Sequence, residues 1–297
     1  MPAARTTRVI VTALTAALVG ALPAPTGAYA DQPLTLEVNT SATDTAPKSV
    51  VVTCPADAWV HAVGGWTTGG GGRALLTRME PAADLRSAIV AARPATTDTT
   101  EFSVTVQAMC IRTQVPPQRV AATALLGDAV SVPCGDGESA VGFGFALQRP
   151  TDDWRVDQLL PNAALTRVSL HTAGTRPLLA PLTVFGICLP WPSSDPYVCR
   201  KETTPVTSGA WPRTAALPPT GLGAFGVGGV VTGLNTHLDG FLVLPFAGGS
   251  VRAARLPGVA LPPLAARSGA AAAAVTTTSD AVTGYDTRIG TFYGPPC

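Results

Sequence analysis

The sequence predicts an all-β protein made of three diverged copies of one repeat, and three observations support this fold class. The 297 residues include 30 Gly and 28 Pro, which suits short strands joined by turns better than helices. Apolar segments such as 87–92, 165–172 and 182–187 are short, rich in Val, Ile, Leu and Thr, and lack a helical stripe longer than two turns. A pattern of cysteine, glycine and proline also recurs along the chain, which is typical of repeat architectures.

The first 30 residues have the features of a secretory signal peptide. Arg5 and Arg8 form a positive segment, 9–22 form an apolar segment, and Ala28-Tyr29-Ala30 is a cleavage site of the small-x-small type. Because the apolar segment is too short for a transmembrane helix, we expect cleavage after Ala30 and a secreted, extracellular protein without a membrane span. A polar, Thr-rich arm is expected to follow at 31–48.

The charge balance argues against one class of partner. Loss of Arg5 and Arg8 with the signal peptide reduces the basic residues from 20 to 18 against 19 acidic residues, a formal charge of −1. Such a balance offers no electrostatic surface for nucleic acid or anionic lipid. The Ala-, Gly-, Pro-, Arg- and Thr-rich usage resembles that of exported proteins from high-GC bacteria.

The first two copies of the repeat share five features in the same order. Each has a starting cysteine, a Val-Gly sequence that predicts a turn, a proline 27 residues after the cysteine, and a Thr-Val ending five residues before a second cysteine. We therefore assign 49–112 to repeat 1 and 113–190 to repeat 2. The matched pairs are Cys54 and Cys134, Val63-Gly64 and Val141-Gly142, Pro81 and Pro161, Thr105-Val106 and Thr183-Val184, and Cys110 and Cys188.

A third and more diverged copy is assigned to 214–297, after a Pro-rich linker at 191–213. Pro219 takes the place of the first cysteine, and Val227-Gly228-Gly229 supplies the predicted turn. The ending is placed at Thr291-Phe292, shortly before Cys297. This copy completes a threefold repeat.

The cysteines predict three disulfides. An even number in an exported protein, with no C-x-x-C motif and no His/Cys cluster, favours a disulfide framework over metal ligation or a catalytic thiol. The repeat predicts that the first strand of a copy is tied to its last. The expected pairs are Cys54–Cys110, Cys134–Cys188 and, closing the third copy through its linker, Cys199–Cys297.

Three repeats of this kind predict three sheets of three or four strands each, related by pseudo-threefold symmetry and burying one face at a common axis, as in a β-prism. A β-trefoil and a β-sandwich are the alternatives, although the Gln-x-Trp signature of β-trefoils is missing. The segment Cys134 to Phe145 and the closing strand before Cys188 resemble the vitelline-membrane outer-layer protein family. That resemblance implies three Greek-key repeats, each with a cysteine-bearing start and end.

Tryptophans are the first candidates for a ligand site. Trp59 and Trp66 are expected to bracket a turn in repeat 1, and Trp154 to lie in a loop of repeat 2. Aromatic side chains on the loops of a rigid β scaffold commonly bind ligands or partners. The alternative is that they cap the ends of the sheets.

Carboxylates beside Trp154 are the second candidates. Asp152, Asp153 and Asp157 could form a calcium site or a sugar subsite with the indole as a stacking platform, or they could belong to a solvated loop. Their spacing lacks the alternating ligands and central glycine of an EF-hand. Retaining-glycosidase chemistry would need two carboxylates about 5 Å apart, which spacing does not establish.

The remaining residues predict no cofactor, no metal site and no catalytic set. The three histidines lie far apart in the sequence, and there is no G-x-S-x-G motif. The leading hypothesis is therefore a secreted, non-enzymatic binding module for a glycan or another cell surface. An extracellular structural or interaction protein and a secreted hydrolase using carboxylates such as Asp153 and Asp157 are the alternatives.

Overall fold

The computed structural model describes most of the first two repeats and the strands of the third. Among the described residues it contains strands, one 3-10 turn and no α-helix. The described residues are 5–9, 34–95, 100–113, 115–125, 129–148, 154–173, 180–190, 200–203, 213–216, 224–232, 236–244, 248–255 and 281–288.

Each repeat contributes six strands. Repeat 1 contains β2 Thr35–Thr40, β3 Lys48–Thr53, β4 Trp59–Gly69, β5 Ala74–Pro81, β6 Ser87–Pro94 and β7 Phe102–Ile111. Repeat 2 contains β8 Gln118–Ala124, β9 Ala129–Pro133, β10 Glu138–Leu147, β11 Arg155–Pro161, β12 Arg167–Ala173 and β13 Leu182–Pro190. Repeat 3 contains β14 Arg200–Thr203, β15 Arg213–Ala216, β16 Ala224–Thr232, β17 Thr236–Leu244, β18 Gly248–Arg255 and β19 Ala281–Arg288.

The strands form three antiparallel sheets, and every sheet combines halves of two repeats. Sheet A has the order β2-β7-β4-β17-β18-β15, with a further strand β1, Arg5–Val9, paired outside β2. Sheet B has the order β3-β6-β5-β10-β13-β8, and sheet C the order β14-β19-β16-β11-β12-β9. Each repeat thus gives three strands to one sheet and three to the next, in a closed cycle.

The predicted all-β fold with three repeats in a pseudo-threefold, β-prism-like arrangement is confirmed. The expected size of the sheets was wrong, because a sheet draws on two repeats and holds six or seven strands rather than three or four. Two segments outside the expected repeats supply some of these strands. The expected arm at 31–48 contains β2, and the expected linker at 191–213 contains β14.

The Val-Gly sequences predicted as turns lie inside strands β4, β10 and β16. One glycine in or just after each of these sequences has no room for a side chain, because a neighbouring repeat's backbone crosses very close to the strand. A Cβ at Gly144 would lie 2.0 Å from the carbonyl oxygen of Met79, and one at Gly228 would lie 2.2 Å from that of Leu159. In repeat 1 the equivalent position is Gly64, whose Cβ would lie 2.7 Å from the Phe241 carbonyl oxygen. These glycines lie where strands of two repeats pair within one sheet. We call these contacts seams: β4 with β17 in sheet A, β5 with β10 in sheet B and β11 with β16 in sheet C.

Two of the three predicted disulfides are confirmed. Cys54–Cys110 and Cys134–Cys188 are formed, each with a Cα–Cα distance of 5.7 Å. Cys199 and Cys297 lie outside the described residues. The confirmed bonds close loops with sequence separations of 56 and 54 residues, for which the chain-entropy model gives about 4 kcal/mol each.

The third copy ends differently from the sequence alignment. The strand that occupies the place of β7 and β13 is β19, and its Thr283 pairs with Val230 as Thr105 pairs with Trp66. The expected ending at Thr291-Phe292 lies outside the described residues. Repeat 3 therefore reaches its closing strand earlier than the distance to Cys297 indicates.

A continuous core joins the three repeats. It includes Val106, Phe145, Val184 and Phe241, and the rings of Phe145 and Phe241 lie 6.4 Å apart across a repeat boundary. None of the described segments is a helix long and apolar enough to cross a membrane. Burial of one face of each sheet against a shared core holds the outer face of each seam in a fixed geometry.

Candidate functional site

The three seams can be compared position by position because the repeats pair in the same register. In sheet A the row across the seam is Thr105, Trp66, Gly240 and Arg252. In sheet B it is Thr183, Ala146, Arg78 and Ala91, and in sheet C it is Thr283, Val230, Gln158 and His171. Only the sheet A row places a tryptophan directly opposite a glycine.

The pairing of Trp66 with Gly240 leaves a cavity on the outer face of sheet A. The cavity has a volume of about 140 Å³, and we call it the seam pocket. A Cβ at Gly240 would lie 3.1 Å from Trp66 Cβ and 3.2 Å from Arg252 Cβ, so a longer side chain at this position would project between them. The seam pocket therefore exists because Gly240 stands where the other seams carry Arg78 and Gln158. Its lining residues are Trp66, Gly240, Phe241, Leu242, Ser250 and Arg252.

The Arg252 guanidinium at the side of the pocket is fixed by hydrogen bonds to the adjacent strand β17 and to β4, the strand beyond it. Its Nε donates to Asp239 Oδ1 at 3.0 Å, and its Nη2 donates to the carbonyl and hydroxyl oxygens of Thr67. The other carboxylate oxygen of Asp239 accepts a bond from Thr67 Oγ1 at 3.5 Å. Asp239 is the extra residue of a β-bulge in β17, which turns its side chain toward these partners.

The charges in this network are unequally exposed. The Arg252 side chain is 28% exposed, whereas the Asp239 side chain is 4% exposed. The carboxylate thus holds the guanidinium from beneath, while the cation reaches the pocket. No hydrogen-bond partner for Arg252 Nη1 is found in the described part of the chain.

A buried histidine, His237, lies on the same strand as Gly240. Burial lowers the pKa of His237 from 6.5 to about 4. Asp239 raises this pKa and the cations of Arg155 and Arg252 lower it, but burial has the largest effect. His237 therefore carries no charge at neutral pH and adds none to the site.

The sheet C seam carries a different polar pair at the equivalent positions. Asp157 is again the extra residue of a β-bulge, in β11, and its Oδ1 lies 2.6 Å from His171 Nδ1. The predicted loop carboxylate is therefore a strand residue with a partner. Asp152 and Asp153 lie outside the described residues.

The three tryptophans predicted as ligand-binding residues have different surroundings in the structure. Trp66 is half-buried and lines the seam pocket. Trp59 is half-buried beneath the Arg86 guanidinium, which lies 4.2 Å from its ring centroid. Trp154 is 2% exposed, which favours packing over ligand stacking for its indole. Trp59 and Trp66 lie on one strand, β4, so the expected turn between them was wrong.

Sequence reasoning missed Gly240, Ser250 and Arg252. The signal for Gly240 was present as a glycine inside a strand of repeat 3, but its role depends on the residue facing it in repeat 1. Thr67 and Asp239 are 172 residues apart, and no local pattern links them.

No family model matches the chain, and no curated protein is significantly similar to it. Among the described residues, no group of three or more His, Cys, Asp and Glu side chains could hold a metal ion.

Proposed function

We propose that the protein is a secreted, non-enzymatic binding module that recognises a glycan of an extracellular surface through the seam pocket. The observation that carries this proposal is the departure of the sheet A seam from the pseudo-threefold pattern. Trp66 replaces a small or aliphatic residue, and Gly240 replaces a long polar one.

The chemistry of the pocket suits a sugar ring. The indole of Trp66 offers a flat apolar surface against which the C–H face of a pyranose can stack. Arg252 and Ser250 add polar groups at the side of that surface. A few convergent polar groups in a mostly apolar pocket are typical of small-ligand sites.

The rigidity of the site also supports binding. Trp66 and Arg252 lie on strands of one sheet, and Arg252 is held by Asp239 and Thr67. Side chains that are already ordered lose less conformational entropy when a ligand binds.

The test is a glycan and cell-wall-polymer array probed with the protein secreted by an exporting host, with its disulfides intact. We expect saturable binding that is lost in Trp66→Ala. Val230→Ala is the matched control, because Val230 occupies the same position in the sheet C seam. Equal binding by Trp66→Ala and the wild type would place the ligand elsewhere and contradict the proposal.

The same protein distinguishes the alternatives. A blank array, with a specific protein captured from the producing cells' surface, would favour a structural or interaction role. Turnover of polysaccharide or ester substrates that is lost in Asp157→Asn would favour the hydrolase.

A further inference from the structure

We infer that the seam pocket selects an acidic sugar, and that Arg252 binds the carboxylate of a hexuronic acid residue stacked on Trp66. This inference rests on the proposed function and narrows its ligand class. It follows from which hydrogen-bonding groups face the cavity and which are turned away.

The groups that face the pocket are mainly donors. Arg252 donates hydrogen bonds and accepts none, and the indole N–H of a tryptophan is also only a donor. Among the lining side chains that the structure describes, Ser250 alone can accept. Neutral sugars present hydroxyl groups that both donate and accept, and a carboxylate or amide oxygen usually receives their protons. A ligand rich in acceptors fits this pocket better.

The one carboxylate of the network is not available to a ligand. Both oxygens of Asp239 are engaged, Oδ1 by Arg252 and Oδ2 by Thr67, and the side chain is almost completely buried. Asp239 therefore orients the guanidinium through Nε and forms an ion pair with it, and it does not bond to Nη1. Because Nε and Nη2 are occupied by Asp239 and Thr67, Nη1 is the group that remains for a ligand oxygen.

The two recognition elements lie on opposite sides of Gly240. Trp66 pairs with Gly240 from one side, and Arg252 pairs with it from the other. A ring stacked on the indole and extending across the glycine would reach the guanidinium with a substituent on its edge. In a hexuronic acid, the carboxylate is that substituent.

The test compares a galacturonic acid oligomer with the same oligomer methyl-esterified, in which each carboxylate has lost its charge and gained a methyl group. Affinity is measured by calorimetry on the secreted protein at low and moderate salt. We expect the acid to bind about 10- to 100-fold more tightly than the ester, which is the contribution typical of a charge-assisted hydrogen bond. Added salt should weaken binding of the acid and leave the ester unchanged.

Two variants assign the preference to Arg252. Arg252→Gln removes the charge but leaves the Asp239 carboxylate buried without its partner, which destabilises the sheet. The double variant Arg252→Gln with Asp239→Asn removes both charges together and preserves a neutral pair. In it the acid and the ester should bind equally, whereas Arg119→Gln, on sheet B, should keep the preference.

The outcomes separate this inference from the function it narrows. Equal affinity for acid and ester, with binding still lost in Trp66→Ala, would overturn the acidic class and leave the binding module standing. A preference for acid that survives in the double variant would overturn the role of Arg252. No binding of any oligosaccharide, acidic or neutral, would overturn both.

Discussion

Leu85 and Leu165 adopt the same left-handed backbone at the same turn of repeats 1 and 2, with φ of +54° and +56°. Both side chains are buried. The Leu85 carbonyl accepts a hydrogen bond from Val60 N at 2.7 Å, and the Leu165 carbonyl accepts one from Ala140 N at 2.6 Å. A positive φ is unfavourable for leucine. In both repeats, burial of the leucine side chain therefore offsets the strain of its left-handed backbone.

The left-handed backbone at Leu85 predicts that glycine at this position destabilises the protein less than alanine does. Leu85→Ala should lower the free energy of unfolding by about 3 kcal/mol, because it leaves a cavity and keeps the left-handed strain. Leu85→Gly should cost about 1 kcal/mol less than Leu85→Ala, because glycine adopts this conformation freely. Urea unfolding of both variants checks this order, and the same order is expected at Leu165. Alanine proving more stable than glycine would contradict the strain argument.

Gly144, where β10 pairs with β5 of the neighbouring repeat, should not tolerate replacement by alanine. Gly144→Ala would place a Cβ 2.0 Å from the Met79 carbonyl oxygen, so β5 and β10 would have to separate. We expect a loss of about 3 kcal/mol or more, or failure to be secreted. Gly240→Ala is the control, since the nearest atoms to its Cβ would be side-chain atoms, at 3.1 Å and beyond, rather than a backbone oxygen, and it should cost less than about 1 kcal/mol. Equal losses in the two variants would show that the close approach is not the cause.

Filling the seam pocket should weaken binding without unfolding the protein. Gly240→Gln introduces the side chain that the sheet C seam carries at Gln158, and it would project between Trp66 and Arg252. We expect a thermal midpoint close to that of the wild type and at least a tenfold weaker affinity on the glycan array. Gln158→Gly is the reciprocal control and should leave binding unchanged. Full binding by Gly240→Gln would exclude the pocket as the ligand site.

Stability should fall below neutral pH because two histidines are buried in their neutral form. Burial lowers the pKa of His61 from 6.5 to about 3, as it lowers that of His237 to about 4. The unfolded chain therefore binds more protons below pH 6.5. The stabilisation from each neutral ring is present above that pH and is lost as pH falls toward the folded pKa, at about 1.4 kcal/mol per pH unit.

Urea unfolding between pH 7.5 and 4.5 measures this loss. His237→Leu should reduce the slope of the free energy of unfolding against pH by the equivalent of about one proton. Leucine cannot bind the proton that the unfolded wild type takes up. His171→Gln is the control, since His171 is 40% exposed in its pair with Asp157. Equal slopes for His237→Leu and the wild type would contradict the burial of a neutral ring.

Trp154 should contribute to stability rather than to ligand contact. Its indole is among the largest fully buried side chains, so Trp154→Ala should cost about 3 to 5 kcal/mol. Acrylamide quenching of single-tryptophan variants checks the assignment: Trp66 should be quenched and Trp154 protected. Strong quenching of Trp154, or loss of glycan affinity in a folded Trp154→Phe variant, would contradict it.

The resemblance to the vitelline-membrane outer-layer protein family stays a prediction. The three-repeat β arrangement is what that resemblance implies, but folds host many functions, and the argument for binding here comes from Trp66, Gly240 and Arg252.

The sequence by itself determined the all-β class, the threefold repeat and the pairing of Cys54 with Cys110 and of Cys134 with Cys188. These follow from local composition and from spacing that is preserved between copies, since a disulfide must join residues that the repeat already brings together. Only the tertiary structure decided that half of each repeat joins the next repeat's sheet. That exchange sets Trp66 opposite Gly240 and Thr67 beside Asp239. Strand partners far apart in the chain are chosen by the burial of a shared core, and single-sequence patterns do not encode that choice.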